Sequence, residues 1–308
     1  MNPSPIVGKS EAIKGLHQFI DKASKSNSNV LILGETGVGK ELAAKAIHYR
    51  SERRGMPFLK INCANLDTHL AESELFGHRR GAFTGALADK IGLIEAANKG
   101  SFFFDEVSET DGSLQAKLLS VIEDKEIRRV GDVYTRLIDT RFLFAANRDL
   151  YNLTMNGKFR QDLYFRINIL AHYIPPLRER REDIPLLIDA FISKESEMRN
   201  KTFSIAVEAV AKLINYSFPG NVRELANILK RAIELSPGEL IEEHHVFTQH
   251  TPLSGRRVKA SNYSIRELDE VLCECKGNKT RAAERIGMSR MHFYRLLRSK
   301  SSRTGYIL

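Results

Sequence analysis

Through the first 175 residues the chain switches repeatedly between short apolar runs and helical periodicity. Four runs stand out: residues 29–34 (NVLILG), 57–62 (PFLKIN), 101–104 (SFFF) and 141–146 (RFLFAA). Runs of this length, rich in β-branched and aromatic residues, predict buried strands. Helical spacing of apolar positions follows over 39–50 and 112–123. Strands alternating with helices predict an α/β fold, with a parallel sheet covered on both faces. Beyond Pro175-Pro176 the strand signals stop. Three amphipathic stretches, 183–199, 205–215 and 221–235, predict a small helical subdomain. Residues 249–261 (QHTPLSGRRVKAS) are polar, carry Pro and Gly and have no apolar period, as a linker does. The expected division is 1–175, 176–247, a linker over 248–261, and a terminal helical domain over 262–308.

Charge sharpens this division. The 308-residue chain has a formal net charge of +9. Residues 255–308 hold 13 Lys/Arg against 5 Asp/Glu, so +8 of that excess lies in the last sixth of the chain. Such a local excess is the footprint of a polyanion partner. No apolar run approaches the roughly 20 residues of a membrane span, and the first residues lack a basic region followed by an apolar core. The three cysteines, Cys63, Cys273 and Cys275, make neither a disulfide framework nor a four-ligand zinc site. Reduced thiols and a cytoplasmic location are expected.

Candidate chemistry begins where the first strand ends. Gly34-Glu35-Thr36-Gly37-Val38-Gly39-Lys40 fits G-x-x-x-x-G-K between a predicted strand and a predicted helix. Glycines let the backbone curl so that its N–H groups face phosphate oxygens, and the helix N-terminus adds positive potential. Lys40 reaches toward the β and γ phosphates. The next residue is Glu41, where Ser or Thr is usual. At the end of the third strand stand Asp105 and Glu106. The first carboxylate suits magnesium and the second suits polarising an attacking water.

Residues 75–86 (LFGHRRGAFTGA) are more specific. With GETGVGKE, FFFDE, FRQDLYFR, PPLRER and FPGNVREL they resemble, over about residues 6–245, the AAA+ domain of bacterial enhancer-binding proteins, the activators of sigma-54 RNA polymerase. The resemblance implies an ATPase using ATP and Mg2+, and it makes Glu41 normal for its position. It implies Asp105 and Glu106 as the Walker B pair and Asn62 as a switch for the catalytic glutamate. Asn147 matches sensor I, although Ala146 stands where the family usually has Thr. Arg160 and Arg166 match arginines supplied to a neighbouring subunit's nucleotide, and Arg223 matches sensor II. An arginine supplied in trans makes hydrolysis depend on assembly, and the family forms hexameric rings. Gly81, Ala82, Phe83, Thr84, Gly85 and Ala86 form the loop that in the family touches sigma-54, with Phe83 and Thr84 as contact residues.

The terminal segment reads as two short helices. Ala282, Ala283 and Ile286 make one apolar face, Gly287 breaks it, Ser289 caps the next helix, and Phe293, Leu296 and Leu297 make the second face. This is a helix-turn-helix pattern, similar to the Fis-type domain that ends the same activators. Arg290, Met291, His292 and Arg295 face away from the apolar positions, toward base edges of double-stranded DNA. Lys279, Arg298 and Lys300 suit phosphates. A basic oligomerisation bundle is the other reading of this segment.

Only about five residues precede the segment that opens the family's ATPase domain, so control is expected from a regulatory protein acting in trans, from expression level or from a mixed ring. Two other functions stay open. One is a DNA-binding regulator that uses ATP only to assemble, toward which Ala146 points. The other is an unrelated AAA+ machine such as a replication initiator or helicase loader, against which the GAFTGA insertion argues.

Overall fold

The computed structural model describes residues 5–66 and 68–248, together with Ala282. The readings of the linker and of the terminal DNA-contact residues, Lys279, Arg290, Met291, His292, Arg295, Arg298 and Lys300, lie outside the described residues. Ala282 itself is helical and fully buried.

Helix α1 (Glu11–Ser24) opens on Ser10, whose hydroxyl accepts from the Ile13 N–H, and buries Ile13, Leu16, Ile20 and Ala23 along one face. Strand β1 (Val30–Leu33) follows, then α2 (Lys40–Tyr49) and β2 (Phe58–Asn62). Helix α3 (Thr68–Phe76) leads into a small insertion, after which β3 (Ser101–Asp105) returns to the sheet. Helix α4 (Gly112–Asp124), capped by the Asp111 carboxylate on the Leu114 N–H, precedes β4 (Arg141–Ala146). Helix α5 (Gln161–Ile167) and β5 (Leu170–Tyr173) complete the layer.

The five strands are all parallel, in the order β2-β3-β4-β1-β5. All six residues of β4 are buried, as a central strand covered on both faces requires. Phe102, Phe104, Phe142 and Phe144 form the core on one face with α4 and α5, while Phe103 and Leu143 pack with α1 and α2 on the other. Phe102, Phe103 and Phe104 are fully buried, so truncating any of them to alanine costs about 3–5 kcal/mol. The strands' C-terminal ends line up: Asn62 registers with Asp105, and Leu33 with Ala146. In open parallel sheets this edge is where ligands bind.

Beyond β5 come α6 (Ile184–Arg199), α7 (Val207–Ile214) and α8 (Asn221–Leu235), which share a core of Ile184, Ile188, Leu213, Phe218, Leu225 and Leu229. The expectation that strands stop after the double proline needs correction: Ser204–Ile205 pairs parallel with Leu240–Ile241. Two residues per strand are too few to show a period of two in the sequence. Among the described residues no helix is long and apolar enough to cross a membrane.

Candidate functional site

The turn from β1 into α2 is built on glycine. Gly34, Gly37 and Gly39 all have positive φ. Gly37 is doubly constrained, because a Cβ there would stand 2.3 Å from the Gly220 carbonyl oxygen. The Lys40 ammonium donates to the Gly34 carbonyl at 2.7 Å and to the Glu35 carbonyl at 3.0 Å, so it lies folded into the turn and is buried. Burial lowers its pKa below the usual lysine value, opposed by the nearby charges of Asp105 and Glu106.

Asp105 ends β3 beside this turn. Burial raises its carboxyl above the ordinary aspartate value, and Lys40 opposes that rise. Glu106, next in the chain, takes a left-handed conformation with φ of 57°. That conformation is uncommon for a residue with a side chain and turns the chain sharply out of the strand. Asn62, in register with Asp105, accepts from the Ala64 N–H at 2.9 Å and so caps the short turn Cys63–Asn65. Burial, with the nearby charges of Asp105 and Glu106 adding to it, pushes the Cys63 thiol up to about 12.

Asn147 follows β4. Its amide donates to the Thr36 hydroxyl at 3.4 Å, and its oxygen accepts from Ser108 at 3.3 Å. Ala146 is fully buried, and its carbonyl accepts from the Gly34 N–H at 3.2 Å. Glu41 turns its carboxylate to Lys45 and Lys60, both at 2.8 Å. Arg223, in the first turn of α8, donates its backbone N–H to the Gly37 carbonyl at 3.3 Å. Its charge acts on both Lys40 and Asp105.

These residues therefore converge at the C-terminal edge of the sheet: 34–40, Asp105, Glu106, Asn147 and Arg223. Arg160 and Arg166 do not join them through any hydrogen bond or ion pair among the described residues. Both are about half exposed. Arg160 pairs with Asp162 at 2.7 Å, and Arg166 stands 4.0 Å from Glu123. Residues at the site that the sequence left without a role are Arg178, Arg180 and Asn221. Arg178 grips Glu35 through two bonds of 2.9 and 2.7 Å, and Asn221 donates to the same carboxylate at 3.1 Å. These contacts hold the Glu35 carboxyl below its usual pKa, the Arg178 bonds most of all.

The arrangement suits a phosphate chain. The backbone turn, the helix N-terminus and the buried ammonium favour anionic oxygens. Asp105 suits a divalent cation, because a positive ion beside it would reverse the cost of its buried charge. Among the described residues no group of three or more His, Cys, Asp or Glu could hold a metal. Magnesium there would take its other ligands from phosphates and water, its usual habit.

The GAFTGA residues sit elsewhere in the insertion. Gly77–His78 pairs antiparallel with Lys90–Ile91, and residues 81–86 form the tip beyond that pairing. The Gly81 N–H donates to the Ala86 carbonyl at 2.9 Å and closes the tip. Phe83 is 39% exposed and sets its edge against His78, with centroids 5.0 Å apart. A second hairpin, Glu126–Arg128 with Thr135–Leu137, stands alongside: the Arg79 N–H donates to the Val130 carbonyl at 3.0 Å, and the Val130 N–H to the Gly77 carbonyl at 2.9 Å.

Comparison with known proteins follows the same layout. Residues 6–172 match the sigma-54 interaction domain, 178–261 an AAA+ ATPase lid domain and 266–298 the bacterial regulatory protein Fis family. The chain is 41% identical over 300 residues to the regulatory protein AtoC of Escherichia coli, covering 92% of this chain and 65% of that one. It is 44% identical over 245 residues to a Nif-specific regulatory protein of Herbaspirillum seropedicae, covering 79% and 45%. With the response regulator protein PilR of Pseudomonas aeruginosa it shares 39% over 305 residues, covering 94% and 68%. Across the first curated relatives it matches, the chain spans 45% to 65% of their length. The crystal structure of NtrX from Brucella abortus in complex with ATP superposes with a TM-score of 0.76 at 31% identity, covering 97% of this chain and 69% of that one.

Proposed function

The chain belongs to the sigma-54 interaction family of AAA+ domains, with an AAA+ lid and a Fis-family segment behind it, and from that membership we propose an ATP-hydrolysing transcription activator. It binds DNA upstream of a promoter and couples ATP hydrolysis to remodelling of sigma-54 RNA polymerase.

Within this proposal the loop 34–41 cradles the nucleotide, Lys40 neutralises its phosphates and Arg223 closes on them from the lid. Asp105 holds Mg2+, whose charge supplies neutralisation of the phosphate oxygens. Glu106 takes the proton of the attacking water, Asn62 sets when Glu106 is free to do so, and Asn147 orients the water or the terminal phosphate. Arg160 and Arg166, half exposed and without a hydrogen bond or ion pair to their own chain's loop among the described residues, serve a neighbour's nucleotide, so the active form is a ring of this chain or a mixed one. Residues 81–86 touch sigma-54. The segment 262–308 reads double-stranded DNA, with Arg290, Met291, His292 and Arg295 on bases and Lys279, Arg298 and Lys300 on phosphates. The division into 1–175, 176–247, 248–261 and 262–308 belongs to the same proposal, as do a cytoplasmic location and control by a protein acting in trans.

One observation carries this reading. Asn62 lies in register with Asp105, and from Asn62 the chain runs through Cys63–Asn65 and α3 directly into the hairpin that bears GAFTGA. A change beside the carboxylates therefore reaches the loop along a short stretch of chain that includes α3, the kind of element that can couple two states. The test is transcription in vitro from a sigma-54 promoter with ATP and with a non-hydrolysable analogue. Open complexes with ATP alone are expected. ATP turnover with no open complexes, in rings reconstituted with any partner subunit, would favour the regulator that uses ATP only to assemble.

A further inference from the structure

A loop whose amides face inward to phosphate must turn its carbonyls outward, and those carbonyls need donors of their own. In the 34–38 turn all five carbonyls are engaged. The Lys40 ammonium takes the first two, at Gly34 and Glu35. The next three are taken by three different donors from beyond the double proline. Asn221 Nδ2 donates to the Thr36 carbonyl at 3.1 Å, the Arg223 N–H to that of Gly37 at 3.3 Å, and Arg180 Nη2 to that of Val38 at 3.1 Å.

We propose that Asn221 is a positioning residue for nucleotide binding: with Arg180, it fastens the lid to the back of the phosphate loop and so keeps the loop's amides aimed at the phosphates. Its placement supports this. Asn221 is fully buried, has φ of 54° and opens α8. Asparagine tolerates that conformation better than most residues. One side chain ties three segments: its Oδ1 accepts from the Leu177 N–H at 2.8 Å, and its Nδ2 serves both the Glu35 carboxylate and the Thr36 carbonyl. Arg180 is also buried, 3.9 Å from Asp183, and Asp183 in turn accepts from the Lys9 and Ser10 N–H groups at 2.6 and 2.8 Å. The lid thus holds the loop by its carbonyls, independently of what the Arg223 guanidinium does at the phosphates. The close approach of Gly37 to Gly220, which leaves no room for a Cβ, is the same contact seen from the backbone.

The inference rests on the nucleotide-site reading, and the experiment separates the two. Binding of a fluorescent ATP analogue and of its ADP counterpart to the full chain is measured first. Absence of binding by the parent would overturn that reading and this inference with it. In Asn221→Asp the acceptor for Leu177 stays, while the donor to Thr36 is replaced by an oxygen that repels the Glu35 carboxylate. Losing both Nδ2 hydrogen bonds is expected to weaken ATP and ADP alike by about tenfold or more, raising KM by a similar factor with kcat much less changed. Amides 36–39 should exchange faster in the nucleotide-free variant. Adding Glu35→Gln, which gives the introduced carboxylate a donor, should recover part of the lost affinity. If Asn221→Asp does not fold, Asn221→Gly keeps the backbone conformation and is expected to lose both nucleotides in the same proportion. A folded variant that binds both within twofold of the parent would overturn the proposal, as would a loss confined to ATP.

Discussion

Asn147 bridges the two halves of the site: its amide donates to Thr36 on the phosphate loop at 3.4 Å, while its oxygen accepts from Ser108, two residues beyond Glu106, at 3.3 Å. A side chain that reads both the loop and the acidic strand end is placed to register the terminal phosphate. Asn147→Ala is expected to lower turnover by about a hundredfold, the usual cost of one preorganised donor, with a much smaller change in nucleotide affinity. Steady-state phosphate release beside equilibrium binding checks it. Equal losses in both would make Asn147 a ground-state contact.

Asp105 links activity to stability. Burial raises its folded-state pKa above the unfolded value. Between those two values the folded protein holds a proton that the unfolded chain has lost. Stability therefore falls as pH rises through that window, and at neutral pH the buried charge costs its full amount. Asp105→Asn is expected to raise the unfolding temperature of the nucleotide-free protein at pH 7 and to abolish Mg2+-dependent hydrolysis. In the parent, Mg2+-dependent nucleotide binding should weaken on acidification at a higher pH than an ordinary aspartate would give. A lower unfolding temperature for Asp105→Asn would show that its attraction to Lys40 outweighs its burial.

How much of this was legible in the sequence depends on how local each signal is. RFLFAA is apolar throughout because β4 is covered on both faces, so it reads as a strand without any partner being known. Strand β5 escaped notice because it lies at the sheet's edge: Leu170 and His172 are half buried, while Ala171 and Tyr173 are exposed. The phosphate loop and Asp105-Glu106 are legible because glycine spacing and acids at a strand end carry their chemistry with them. The lid contacts are not. Glu35 and Arg178 are 143 residues apart, and Asn221 and Thr36 are 185 apart. No local pattern marks such pairs, although a carboxylate inside a phosphate-binding turn was a signal that it needed a partner.

Arg160 and Arg166 yield a mixing test. Arg160→Ala and Glu106→Gln chains are each expected to hydrolyse ATP poorly alone. In mixed rings some interfaces join an intact Arg160 to an intact Glu106, so turnover should partly return. Verified mixed rings with no recovery would place Arg160 in its own subunit's chemistry.

The basic segment carries the DNA prediction. Removing residues 255–308 takes away +8 of the +9 net charge. The truncated chain should keep its ATPase activity and lose DNA affinity, while the full chain's binding should fall steeply with salt as counterions are released. Footprinting of the same sites by the truncated chain would move the DNA-binding surface elsewhere.

Thr84 is the residue at which hydrolysis and remodelling separate. It lies at the tip of a hairpin closed by the Gly81–Ala86 bond, and Gly81 and Gly85 both have positive φ with open space where a Cβ would stand. The Thr84 hydroxyl takes no part in the cluster around Lys40 and Asp105. The decisive measurement is open-complex formation at a sigma-54 promoter beside phosphate release, from one preparation of Thr84→Ala. Hydrolysis within a few-fold of the parent, with open complexes lost, is the expected result. Undiminished open-complex formation would contradict the coupling role of this loop.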